Sequence, residues 1–444
     1  SPASEPETAA VVAYLSSIFP DVRPSDLVSP APSNNPGVFL DVHSYGKLVL
    51  WPWSFTNTPA PNGPAMATLG RRLAWFNDYR PQPGIDLYVS DGGTKEFVYG
   101  ELGVPALSLE LGDAFFESCT SFEGTVLDNN LRALQYLLRN ARRPYEEASG
   151  PSLNDVLSAP VEIGEPIRLF GVATDLEFNN VNGSEATQNI SSVNAFVDTL
   201  PWQSPPTGQA VAVDGAFDSP EEIFAVESPS TGLTLGAHQI YLRASDTQSS
   251  GPNYAQQVQV APVGSTARLQ GAIRDANSGV LLNRPAWVRL GEFGTLGLPG
   301  ARSYALRVPF GTYTLKVSAK GYADAQVNGL LLNSSRPVTQ NVALLPICTV
   351  FSDSAASGLG NFIAQAPWGI ESTRFFTAPA AFSDSPNADY SANADTSLRT
   401  VALDLSDVAN LRLGFQSYCD TEAGWDFGRV EISTDGNSWD EIWR

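Results

Sequence analysis

The spacing of apolar residues changes once along this chain, and that change confines what it can fold into. Before Tyr145, helical spacing alternates with short continuous apolar runs; after it, no segment keeps helical spacing for three turns. Alternating helices and near-continuous apolar strands call for a parallel or mixed sheet covered by helices. Short alternating runs broken by Gly, Pro, Asn and Asp call for β-sandwiches. The sequence therefore predicts a multi-domain chain, an α/β region followed by all-β modules, and 444 residues suffice for several domains.

Within the α/β region, Val11, Val12, Leu15 and Ile18 predict a helix over 7–19 behind an acidic start. Strands are predicted over 38–42, 48–51 and 105–110, and a helix over 64–77. A third helix is predicted over 126–142, with Leu127, Leu131, Leu134, Leu137 and Leu138 as its apolar face. Residues 146–152 read as a linker by composition. The modules beyond are predicted over 152–263, 264–346 and 347–444.

Charge excludes several partners. Lys and Arg number 26 against 47 Asp and Glu, a net charge of −21. Neutralising phosphates takes a basic footprint, so neither nucleic acid nor an anionic membrane surface is an expected partner. Two histidines, His43 and His238, cap the imidazole ligands any metal site can draw from this chain. His238 reads as a strand residue. Three cysteines exclude a disulfide-dense array; Cys348 and Cys419 fall in one module, where pairing stays open, and Cys119 is left over. Acidic character with only four lysines suits a secreted bacterial protein, expected to act as a monomer. The sequence opens in mid-pattern and closes on what reads as a strand in progress, so it is expected to be part of a longer polypeptide.

The chemistry gathers at two strand ends, Asp41-Val42-His43-Ser44-Tyr45 and Leu107-Ser108-Leu109-Glu110. In open α/β sheets, ligands bind beyond the carboxyl ends of strands. A His and a Glu there can serve as metal ligand and general base. Tyr88 stands between them in sequence, in the Gly-containing stretch Tyr88-Val89-Ser90-Asp91-Gly92-Gly93.

Together with Leu50-Trp51-Pro52-Trp53 and Thr94-Lys95-Glu96-Phe97-Val98-Tyr99-Gly100, in this order and spacing, these residues resemble the zinc carboxypeptidase family of the carboxypeptidase A/T type, secreted bacterial branch. The resemblance covers residues 4 to about 146 and corresponds to the C-terminal half of that catalytic domain. It implies one bound zinc, with His43 as a ligand, Glu110 as the carboxylate that activates water and shuttles its proton, and Tyr88 as a mobile cover over the substrate. It implies that Lys95 lines the pocket for the substrate's C-terminal side chain, and that Ser44, Tyr45, Leu50, Ser54, Ser90 and Ser108 contact substrate. A cation in that pocket favours acidic side chains, unless Lys95 turns outward or pairs with Glu96 or Asp91. The family's His-x-x-Glu ligand pair and its substrate-binding arginines have no counterpart in this sequence. One imidazole leaves two of three protein ligands unfilled, so these residues alone are expected to be inactive. Peptide or protein C-termini are the expected partners. The competing reading is a non-catalytic secreted binding or adhesion protein with a degenerate peptidase half.

The module over 152–263 fits an immunoglobulin-like sandwich. That over 264–346, with Val308-Pro309-Phe310-Gly311-Thr312-Tyr313 and the alternation Tyr313, Leu315, Val317, resembles the transthyretin-like module of carboxypeptidases. The last, with Leu403-Asp404-Leu405-Ser406 and Gly424-Trp425-Asp426-Phe427-Gly428, resembles the jelly-roll modules of secreted bacterial peptidases. Asp420, Glu422 and Asp426 offer oxygen ligands suited to calcium, although ordinary acidic loop residues read the same way.

Overall fold

Ala106 to Leu109 are apolar or small, and in the computed structural model of the protein this run is buried on both faces of a strand, β4 (Ala106–Glu110). The structure describes residues 5–301, 303–405, 411–419, 421 and 426–443. Asp420 and Glu422 lie outside them, as do Ser406, Gly424 and Trp425. The described residues form two compact units, one through Pro346 and one from Ile347. No helix among them is long and apolar enough to cross a membrane.

β4 is an inner strand of a four-stranded mixed sheet. It pairs parallel with β1 (Phe39–His43) and antiparallel with β2 (Leu48–Trp51), which pairs parallel with β3 (Arg80–Pro83). The register places His43 beside Glu110 on one side and Leu48 beside Glu110 on the other. Helix α1 (Pro6–Ile18) precedes the sheet, and α2 (Gly63–Asn77) packs on it through Met66, Leu69 and Leu73, all fully buried. Gly70 makes that approach close, since a Cβ there would stand 2.8 Å from Cε3 of Trp51.

Residues 94–100 form a further helix, α3 (Thr94–Gly100), where the sequence suggested only a motif in a loop. Gly93 enters it in extended backbone, and Glu96 sits in the first turn, where a carboxylate complements the helix dipole. One turn, α4 (Cys119–Ser121), leads to α5 (Leu127–Asn140), and α6 (Pro144–Glu147) closes the region.

The structure departs from the sequence expectations in the helices and at the 146–152 stretch. On α5 the buried positions are Asn130, Ala133, Tyr136, Leu137 and Asn140, whereas Leu127, Leu131 and Leu138 are exposed. Asn130 is tolerated inward because it is satisfied: it donates to Oη of Tyr79 and to the Val126 carbonyl, and Asn77 donates to it. Likewise only Leu15 of α1 is buried. The stretch 146–152 is not an exposed linker. Glu147, Ala148 and Ser152 are buried, and Gly150 lies so close to Gly251 that a Cβ would meet its nitrogen at 2.4 Å.

From Ser152 the chain builds a two-sheet sandwich. Strands β5 (Ser152–Ser158), β7 (Ile167–Thr174), β10 (Val211–Ala212) and β11 (Glu221–Ser228) make one sheet. Strands β6 (Val161–Glu162), β8 (Ile190–Val197), β9 (Gly208–Gln209), β12 (Gly236–Asp246) and β13 (Tyr254–Ala261) make the other. Ile167, Leu169, Phe224, Ile240, Leu242 and Val260 fill the space between them. His238 on β12 is buried, with Nδ1 2.5 Å from Oδ2 of Asp198 and Nε2 2.8 Å from the Thr234 carbonyl. The Asp198 bond raises its pKa, a structural role that fits a strand residue.

Residues 267–344 fold as three further sheets around Leu269, Val288, Leu315 and Val317. From Ile347 on, the described residues form three short antiparallel pairs, within 362–400, 369–383 and 430–443. The two large sheets of a jelly roll are not formed among them. Cys119, Cys348 and Cys419 are free thiols, so Cys348 and Cys419 are not bonded. Asp426 accepts a hydrogen bond from Tyr390.

The seam between the α/β region and the sandwich is ionic. Arg72 on α2 has no exposed side-chain surface; it donates to Asp175, to the carbonyls of Ala148 and Gly150, and stacks 3.7 Å over the ring of Phe178. Burial pushes the Asp175 pKa up to about 6, against the Gln188 N–H and Arg72. Arg71 pairs with Glu185, and Glu147 lies 3.3 Å from Arg243 and 3.7 Å from Arg142. Arg139 and Arg142 stack over Tyr254 and Trp202.

Removing one partner of a buried pair strands the other charge. Arg72→Ala is expected to cost about 3–5 kcal/mol, read as a loss of urea resistance in the transition of the first unit. Glu147 supplies a pH test. Its carboxyl is 1% exposed, and burial pushes its pKa up to about 7. The folded state therefore binds a proton that the unfolded chain has released, and stability falls as pH rises through this window. The melting temperature is expected to drop between about pH 5 and about pH 8, and to drop less in Glu147→Gln.

Candidate active site

The parallel pairing of β1 with β4 ends at His43 and Glu110, so both side chains leave the sheet at the same edge. Successive residues of a strand face opposite sides, which puts Asp41 on the face of His43. Asp41 Oδ1 lies 3.2 Å from His43 Nε2. Beyond these residues opens a cleft of about 190 Å³. It is lined by His43, Leu50, Ser54, Tyr88, Ser90, Lys95, Ser108 and Glu110 from the sequence-derived candidates, and also by Asp41, Gly84, Gly93 and Glu96.

Two candidates stand outside that lining. Ser44 donates to the Phe115 carbonyl at 3.2 Å, and Tyr45 is half exposed beyond the strand end. Neither is among the residues that line the cleft.

Burial raises the pKa of Glu110; His43 and Lys95 oppose the shift, and Asp41 adds to it. A carboxyl so placed is more basic than one in water, as a proton acceptor from water needs. Tyr88 is 65% exposed at the cleft, in the loop before α3. Its ring is not packed into the core.

The inner wall is polar. Lys95 and Glu96 side chains are 10% and 7% exposed and lie 3.0 Å apart, Nζ to Oε1. Nζ also donates to Ser54 Oγ at 2.7 Å and to Glu96 Oε2 at 3.3 Å. Of the two fates open to Lys95 other than a free pocket cation, the structure shows the pairing with Glu96, inside the cleft. Glu96 Oε1, though near Nζ, receives no well-directed hydrogen bond. Glycine makes room for these groups: a Cβ on Gly84 would stand 2.0 Å from Ser54 Oγ, and one on Gly93 would stand 2.3 Å from Glu96 Oε2.

Sequence reasoning passed over Asp41 as a cleft residue, although its two-residue offset from His43 on a strand was a usable signal. Gly84 carried no such signal, because its role depends on side chains distant in sequence.

The donor set around His43 does not make a complete zinc site. Among the described residues, no group of three His, Cys, Asp or Glu side chains converges there. The one such group among the described residues is Asp214, Asp218 and Glu222 in the sandwich, where Glu222 of β11 accepts from the Asp218 and Ser219 N–H groups just before that strand. His43 and Asp41 are suited to contribute to a metal site and insufficient to form one.

Residues 1–127 match the sequence profile of the zinc carboxypeptidase family. A zinc carboxypeptidase from Saccharothrix mutabilis subsp. capreolus is 40% identical over 67 residues, 14% of this chain and 15% of that protein. Carboxypeptidase O from Homo sapiens is 31% identical over 121 residues, 26% of this chain and 28% of that protein. The chain thus spans little more than a quarter of the length of these relatives at most. Among solved structures, the group B streptococcus pilus 2b backbone protein aligns over 45% of this chain and 98% of its own at 11% identity, with a TM-score of 0.16.

The room left by Gly84 is testable. Gly84→Ala is expected to displace Ser54 and Lys95 and to cost about 1–3 kcal/mol by overpacking. Thermal melts check the loss, and a melting temperature equal to that of the native chain would refute it.

Proposed function

We propose that this chain, whose N-terminal region is related to the zinc carboxypeptidases, serves in a secreted bacterial metallocarboxypeptidase that hydrolyses the C-terminal peptide bond of peptides and proteins. The observation that carries this reading is the pairing of His43 with Glu110 in register at one cleft, with Tyr88 at its edge. That family uses zinc. His43 is assigned as one ligand, and the remaining ligands must come from residues other than those around this cleft. Glu110 is assigned as general base and acid: it accepts a proton from the attacking water and returns it to the departing amine. Tyr88 covers the bound peptide end, and Ser54, Ser90 and Ser108 line the place of the C-terminal side chain. Lys95 supplies the cation behind the expectation of an acidic side chain there, and Glu96 holds the countercharge against it. Acidic composition with four lysines supports secretion, and the protein is assigned as a monomer acting on peptide C-termini.

The purified 444-residue chain is expected to release no C-terminal residue in a zinc-dependent manner, because its donor set is incomplete. A polypeptide joining this chain to residues that supply the remaining ligands is expected to do so, and Glu110→Gln in it is expected to lower kcat by at least about 100-fold. Chromatography of released amino acids measures both. Retention of peptides by that polypeptide without cleavage would instead favour a binding protein with a degenerate peptidase half.

A further inference from the structure

A second cleft, of about 350 Å³, opens on the sheets built by residues 267–344. It is lined by Arg289, Gly291, Thr312, Tyr313, Thr314 and Lys316, and shares no residue with the cleft at Glu110. Two antiparallel strands, Ala286–Leu290 and Gly311–Ser318, set Arg289 directly opposite Lys316. Like charges opposed across a strand pair destabilise it, so packing gains nothing from this choice.

The two cations are not used up by the fold. Asp155 Oδ1 lies 2.9 Å from Arg289 Nη2, and the side chains are 41% exposed for Arg289 and 62% for Asp155. An ion pair so exposed is weak, and it takes one of the five N–H donors of a guanidinium. Lys316 makes no ion pair or side-chain hydrogen bond among the described residues. Glu292 is close enough to add to the rise that burial gives the Tyr313 pKa, but it does not line the cleft.

The remaining lining is polar. Thr312 and Thr314 bring hydroxyls, and Thr314 donates to Asn328 at 3.2 Å. Tyr313 adds one half-buried ring, whose hydroxyl donates to the Pro309 carbonyl. Over Gly291 the space is open, since a Cβ there would meet nothing within 4 Å. A ligand that fits such walls is polar on every side and carries a carboxylate for Lys316 and the free edge of Arg289. The net charge of −21 disfavours a polyanion. A ligand with one carboxylate feels mainly the charges within about 8 Å at physiological salt.

We propose that this cleft binds one hexuronate residue of an otherwise neutral glycan, with Lys316 and Arg289 holding its carboxylate and the threonine hydroxyls facing its ring. The site is independent of the peptidase reading and gives the chain a second, non-catalytic binding function.

The test is a ligand-observed NMR titration of the purified 444-residue chain with three probes. Methyl β-D-glucuronide carries ring and carboxylate, methyl β-D-glucoside the ring alone, and glutarate the carboxylate without the ring. The glucuronide is expected to bind at least about tenfold tighter than either of the others, the worth of a charged hydrogen bond. Lys316→Met is expected to weaken it by at least about tenfold. Lys320→Met makes the same charge change outside the lining and is expected to leave it unaltered. Asp155→Asn frees Arg289 and is expected to tighten binding about two- to fivefold, the worth of an exposed pair. Asp155 has a φ of 48°, which Asn tolerates, and Lys316 is exposed, so melting curves near that of the native chain are expected to qualify the variants.

No binding of the glucuronide overturns the proposal. Equal affinity for the glucoside overturns it because no charge is read, and equal affinity for glutarate because no ring is read. An equal loss in Lys320→Met also overturns it, since attraction would then come from overall charge and not from this cleft.

Discussion

A guanidinium without access to water ties the candidate site to the rest of the first unit. Arg72 meets Asp175 and two carbonyls of the segment 148–150. Its charge is matched and its donors are used, the condition under which a buried ion pair is tolerated. From Arg72 the connection runs along α2 to Gly70, whose lack of a side chain seats Trp51 of β2. β2 pairs with β4, and β4 ends at Glu110. The position of the candidate general base is thus fixed from two sides: by its neighbour His43 across the parallel pair, and by a helix anchored in the sandwich.

Much of this was legible in the sequence for definite reasons. Leu107-Ser108-Leu109 reads as a strand buried on both faces, and its carboxyl end is where an α/β sheet binds ligands. His43 and Glu110 sit at equivalent ends of two such runs, so a parallel pairing brings them together without any further information. The β-rich character beyond residue 152 was equally plain from alternation and turn residues. The periodicity of α5 misled because it ranks stripes by hydrophobicity alone. Asn130 is buried because Asn77 and Tyr79 meet it with hydrogen bonds, and partners on other elements leave no trace in a helical period. The stretch 146–152 misled in the same way. Its small and charged residues suit solvent, yet Arg243, Arg142 and Gly251 come from elsewhere to enclose them.

The cleft shows where spacing stops being informative. The resemblance implies that Lys95 stands at the wall, and Lys95 lines the cleft. Whether that cation stands free is decided by a rotamer of the next residue. Adjacent residues on a helix diverge by about 100°, so a Lys–Glu neighbour pair meets only if the surroundings bend both side chains inward. Ser54 draws Nζ in from one direction, and the open space at Gly93 admits the carboxylate from the other. The electrostatic character of the pocket is therefore set by three elements together, the segment after β2, the loop before α3 and α3 itself.

The buried segment between α6 and β5 changes what separate domains mean here. Gly150 and Pro151 press against Ser250 and Gly251, and the guanidinium of Arg72 grips the backbone from the other side. A cut in the backbone at this point would release no independent α/β body, because the two pieces share an interior rather than a tether. The sandwich behaves as a wall of the α/β region, and evolution could not exchange it for another module without rebuilding the helix that carries Arg72.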